Sequence, residues 1–168
     1  MKKFILIVLL IAFSKTVIAQ GTQLLREPTI SSTEIVFVYA NDLWKVNRSG
    51  GDAIRLTTNE GYESSPHFSP DENWIAFSAE YGGNTDVYVI PSQGGSPLRL
   101  SYHPGADIVQ GWTPEGEIIF RSGREAYPTR TNRWYTIGMN GGLPQQLSVP
   151  RIASGEMSPD GSMVAYEP

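Results

Sequence analysis

A unit of about 44 residues is copied along this chain, and no other feature restricts the fold as tightly. Gly-Gly recurs as Gly50-Gly51, Gly94-Gly95 and Gly141-Gly142, at intervals of 44 and 47 residues. Six residues before each pair stands an aromatic (Trp44, Tyr88, Tyr135), and four before it a β-branched residue (Val46, Ile90, Ile137). Six residues beyond the first glycine comes a leucine followed by a hydroxyl: Leu56-Thr57, Leu100-Ser101 and Leu147-Ser148. A second register keeps step. Phe68-Ser69-Pro70-Asp71, Trp112-Thr113-Pro114-Glu115 and Met157-Ser158-Pro159-Asp160 are 44 and 45 residues apart, and each precedes an apolar run.

Within one copy, three β-prone runs, Trp74–Ser78, Asp86–Ile90 and Leu98–Leu100, are bounded by turn residues. Proline and aspartate in Ser69-Pro70-Asp71 favour a turn, and glycines in the later loops supply the positive φ of a hairpin return. The unit therefore reads as an antiparallel meander of three or four short strands. That length and content match a β-propeller blade. A β-sandwich would supply regular strands without repeating the same side chains at the same offsets. The fold class is thus all-β, with four-stranded blades over residues 28–57, 66–101 and 110–148 and an incomplete one over 155–168. Residues 60–65 read as the connection into the second blade. Glu34–Ala40 is apolar on both faces, as a strand packed between neighbouring blades should be. Leu24-Leu25 should pack on the first blade or close the ring. Three and a half blades cannot close a ring and would leave an edge open. The chain is therefore expected to be a fragment that needs the missing blades of the same polypeptide, or to associate with further copies of itself.

Residues 1–19 stand apart. Lys2-Lys3 precede ten apolar residues, Phe4 to Phe13, and Val17-Ile18-Ala19 fit a cleavage site before Gln20. This is the pattern of a secretory signal peptide, with an apolar run too short to span a bilayer. An exported protein, periplasmic or secreted and off the membrane after cleavage, is the expectation. Beyond residue 19 the chain carries 10 basic and 17 acidic residues, a balance that excludes a basic nucleic-acid-binding face. With no cysteine there is neither a disulfide framework nor thiolate chemistry.

The run Glu34-Ile-Val-Phe-Val-Tyr-Ala-Asn-Asp-Leu-Trp44 followed by Gly50-Gly51 resembles the first blade of the tricorn protease family. So do Phe68-Ser-Pro-Asp71, Trp74-Ile-Ala-Phe-Ser-Ala-Glu-Tyr81, Asn84-Thr-Asp-Val-Tyr88, Tyr102-His-Pro-Gly105, Gly111-Trp-Thr-Pro114 and Phe120-Arg-Ser-Gly-Arg-Glu125. The blades read as WD-repeat-like or TolB-like meanders, and the shorter words are shared with TolB-type and prolyl-oligopeptidase-type propellers. One departure is Glu72, where glycine usually follows the aspartate of the turn; Asn73 is expected to take the positive φ there. The resemblance implies the leading propeller of a large multidomain serine peptidase. In such an enzyme the serine and histidine lie in later domains, and the propeller shapes passage of peptides or unfolded polypeptide to the active site. No catalytic residue is carried over onto this chain. Two alternatives stay open: a TolB-like, non-catalytic binding module, and a propeller capping an α/β-hydrolase.

No cofactor or metal site is read from the residues. His67 and His103 each neighbour a proline and lack evident partners for catalysis or ligation. Asp42 and Asp86 share a repeat position that Arg133 occupies in the third blade, which points to a capping or turn role. The four tryptophans read as blade core. The best candidate for contact with peptide is the long loop of the third blade, where Arg121, Arg124, Arg130 and Arg133 could hold carboxylates in guanidinium forks.

Overall fold

The computed structural model describes residues 24–125, 132–149 and 154–167; the expected signal peptide lies outside them. Its strands form four antiparallel sheets in chain order. The first contains β1 (Arg26–Ile30), β2 (Glu34–Tyr39), β3 (Asp42–Asn47) and β4 (Ile54–Arg55). The second contains β5 (Glu63–Phe68), β6 (Trp74–Ala79), β7 (Asp86–Pro91) and β8 (Leu98–Arg99). The third contains β9 (Asp107–Trp112), β10 (Ile118–Ser122), β11 (Arg133–Gly138) and β12 (Gly141–Gln146), and the last is a hairpin of β13 (Ser154–Met157) and β14 (Val164–Glu167). Neighbours in each sheet are neighbours in sequence, so each unit is a meander. This is the incomplete propeller that the repeat predicts.

The repeat is also a repeat of register. Phe37 faces Trp44, Phe77 faces Tyr88, and Phe120 faces Tyr135 on equivalent strand pairs. The apolar faces then stack blade on blade. Val36, Val38 and Leu43 of the first sheet pack on Ile75, Phe77 and Ile90 of the second. The opposite face of the second sheet, Ala76, Val87 and Val89, packs on Val109, Ile118 and Phe120 of the third. Ile119 and Trp134 meet Met157 and Val164 of the hairpin. Burial on both faces is why these strands are continuously apolar rather than alternating.

The innermost strands β1, β5 and β9 lie next to one another across the blades, with β13 beside β9. β1, β5 and β9 each carry an irregularity in register, a β-bulge. This corrects the reading of residues 60–65 as connection: β5 begins at Glu63 and runs through Ser65-Pro66. Two residues at equivalent positions, Glu27 and Ser65, take positive φ (49° and 52°), and a proline follows each. A bulge leaves one residue without a ladder partner, so a proline there forfeits no hydrogen bond.

Two turns also differ from expectation. Gly138 pairs with Gly141 around Met139-Asn140, so the third diglycine opens β12 instead of lying in the loop. β12 is accordingly six residues long, against two for β4 and β8. Glu72 itself, not Asn73, takes the positive φ (60°) that Gly116 (85°) and Gly161 (71°) take in the equivalent turns. Its carboxylate accepts the Ser32 backbone N–H at 2.7 Å and the Ser32 hydroxyl, tying the turns of the first two blades together. Those contacts offset the cost of placing a side chain in the left-handed region.

Candidate functional site

A meander puts alternate loops at the same end of each sheet. The β2–β3, β6–β7 and β10–β11 loops therefore share one face with the blade-to-blade connections. On that face the repeat carries a ladder of charge pairs. Asp42 binds Arg55 at 2.7 Å and Asp86 binds Arg99 at 2.6 Å, at equivalent positions in the first two blades. In the third, Arg133 donates to Gln146 at 3.1 Å. The aspartates thus pair across strands rather than merely cap turns. The same pairing stands in the sequence at the residue before the repeat leucine, where Arg55, Arg99 and Gln146 change in step with Asp42, Asp86 and Arg133. Burial raises the pKa of Asp86 against the opposing pull of Arg99.

A second ladder joins the blades. Glu63 is fully buried at the start of β5. Its carboxylate accepts Leu43 N–H at 2.8 Å and the Thr57 hydroxyl at 2.5 Å from the first blade, and the Tyr81 hydroxyl from its own. Burial drives the Glu63 pKa up, and burial together with the carboxylate raises that of Tyr81. Asp107 holds the same place at the start of β9. One methylene shorter, it binds Arg124 Nη2 at 2.6 Å through Oδ2, while Oδ1 is buried without a hydrogen-bond partner among the described residues. The Leu43 counterpart, Val87, donates its N–H to Ser101 Oγ at 3.0 Å.

Among the described residues, the arginines of the loop do not form one cluster. Arg124 is held by Asp107 and lies over the rings of Phe120 and Tyr135, each centroid 5.1 Å away. Arg121 pairs with Trp134 in register and so stands on the opposite face of the sheet from Phe120. Arg133 sits at the start of β11 on Gln146. Arg130 lies outside the described residues. His103 Nδ1 accepts Gly105 N–H at 3.0 Å, a local turn contact. Trp134 is buried core, whereas Trp112 is half-buried and donates its indole N–H to the His67 carbonyl at 3.0 Å, joining β9 to β5.

The innermost strands line an open concavity. Two adjoining clefts of about 470 and 350 Å³ share His67 of β5, Gln110 of β9 and Glu156 of β13. The larger reaches the turn prolines Pro70, Pro114 and Pro159 and exposes one side of Trp112. Gln110 Nε2 donates back to the Val109 carbonyl at 2.9 Å. Burial lowers the pKa of His67, with Glu156 and Glu27 pulling it upward. Among the described residues, no three His, Cys, Asp or Glu side chains are grouped as a metal would require. The cleft offers acceptors, an aromatic face and one open carboxylate, and so suits binding an extended polar chain better than bond-breaking.

Residues 22–168 match the family described as the tricorn protease N-terminal beta propeller domain. A tricorn protease homolog 2 of Streptomyces coelicolor is 36% identical over 92 residues, 54% of this chain but only 8% of that protein. The chain thus spans less than a tenth of that relative's length. The crystal structure of the tricorn protease superposes with a TM-score of 0.70 at 23% identity, covering 80% of this chain and 14% of that one. A protein described as TolB from Agrobacterium tumefaciens superposes with a TM-score of 0.74 at 20% identity, covering 88% of this chain and 55% of that one.

Proposed function

The chain belongs to the family of tricorn protease N-terminal β-propeller domains, and on that premise we propose that it serves as the leading propeller of an exported serine peptidase. In this reading it shapes the passage of peptides to a catalytic centre carried elsewhere in the protein. The observation that carries it is the row of innermost strands, whose His67, Gln110 and Glu156 line two adjoining clefts. Peptide chains suit such a wall, because its free acceptors and half-buried aromatic can hold a backbone without reading one sequence. The test is hydrolysis of casein-derived peptides. The 168-residue chain alone is expected to cleave none, and the intact protein to cleave them until a serine-directed inhibitor is added. Cleavage by the chain alone would overturn the proposal.

A second reading is favoured by the likeness to TolB, whose TM-score of 0.74 is close to the 0.70 of the tricorn protease. There the propeller is a non-catalytic module that binds protein or peptide in the periplasm. It gives peptide binding with no hydrolysis by the intact protein, so the same assay separates the two.

A further inference from the structure

The three strands that line the clefts, β5, β9 and β13, carry carboxylates and no permanently charged cation. β5, β9 and β13 together hold Glu63, Asp107 and Glu156, with neither lysine nor arginine. Two of these acids are committed elsewhere: Glu63 to Leu43, Thr57 and Tyr81, and Asp107 to Arg124. Glu156 is different. It is exposed, lines both clefts, and its side chain has no hydrogen-bond partner among the described residues. Across from it stands the His67 imidazole, which likewise has no hydrogen-bond partner among the described residues. Glu27 on β1 adds a second negative charge within reach of His67.

We propose that this part of the cleft is a subsite for a positively charged group on a peptide, either its N-terminal ammonium or a lysine or arginine head. Glu156 supplies the counter-charge, Gln110 and His67 supply neutral acceptors, and Trp112 offers a ring face to the cation. Burial keeps His67 neutral near pH 7, so it accepts a hydrogen bond instead of repelling the guest. The excess of acids beyond residue 19 acts in the same direction by raising the local concentration of cations. The inference rests on the peptide-passage reading and narrows it to peptides that carry a cationic group.

The experiment uses the intact protein and three peptides of one sequence, each labelled at its C-terminus and followed by fluorescence anisotropy. One has a free N-terminus and no basic side chain. One is acetylated and neutral. One is acetylated with a single lysine. Either cationic peptide is expected to bind roughly tenfold tighter than the neutral one, and which of the two does so identifies the group recognised. Glu156→Gln should abolish the difference, as should high salt on the unaltered protein, whereas Glu167→Gln on the exposed strand β14 should not. Equal binding of all three, or a preference that survives both Glu156→Gln and high salt, would overturn this inference and leave peptide passage standing. Failure of every peptide to bind would overturn both.

Discussion

Glu63, at the start of the second blade, accepts the backbone N–H of Leu43 in the first at 2.8 Å. One buried carboxylate therefore serves as a seam between two repeats. Removing it leaves the Tyr81 hydroxyl without its acceptor, although Leu43 N–H keeps a bond to Thr57 Oγ1 at 2.9 Å. Glu63→Ala should cost about 3 kcal/mol, as loss of a buried, multiply bonded group does. Glu63→Gln should cost about 1 kcal/mol, because an amide can still accept from Leu43 and donate to Tyr81. Urea denaturation of the three proteins measures both, with an unchanged slope expected.

At the next seam the same place is filled by an ion pair. Arg124 neutralises Asp107, whose side chain is fully buried, and also packs against Phe120 and Tyr135. Arg124→Ala should destabilise by about 3 kcal/mol by stranding a buried charge. Adding Asp107→Asn to that variant should recover part of the loss, so a double-mutant cycle should give a clear coupling. Arg124→Lys should fall well short of wild type, since an ammonium cannot lie flat over the two rings.

Glu72 sits where its two sister turns have glycine. Glu72→Gly should relieve about 1 kcal/mol of left-handed strain and lose the bonds to Ser32, leaving stability nearly unchanged. Glu72→Ala keeps the strain and loses the bonds, so it should be the less stable of the two by thermal melting.

His67 and Glu63 give opposite pH dependence. The folded-state pKa of His67 is depressed below 6.5 by burial, so the unfolded chain binds the proton first. Its contribution is complete above pH 6.5 and declines as pH falls toward the folded value. The Glu63 pKa is raised above 4.5, so its contribution is complete below pH 4.5 and is lost as pH rises through the folded value. Denaturant midpoints followed from pH 7.5 to 5 should fall less for His67→Gln than for wild type, and more for Glu63→Gln.

Most of the fold could be read from the chain because side-chain identity and backbone geometry repeat together. Trp74–Ser78 and Asp86–Ile90 fall inside β6 and β7, since runs apolar on both faces have few other ways to be buried. β5 escaped notice because Ser64-Ser65-Pro66 looks like a turn, and a bulge is what allows such residues in a strand. The third diglycine departs from its sisters because its hairpin closes on Met139-Asn140. The candidate site was less legible. Arginines close in sequence drew attention to residues 121–133, yet Arg121 and Arg124 lie on opposite faces of the sheet. His67, Gln110 and Glu156 are distant in sequence, and only the side-by-side arrangement of β5, β9 and β13 brings them to one cleft.

The central claim is that the innermost strands line a route for peptides toward chemistry performed elsewhere in the protein. Its most direct test is to fill that route with Gln110→Trp, confirm folding by thermal melt, and compare turnover by the intact protein of long peptides with that of a short chromogenic substrate. Turnover of long peptides should fall roughly fivefold or more while the short substrate is unaffected. Long peptides turned over at the wild-type rate, or both substrates slowed alike, would contradict the account.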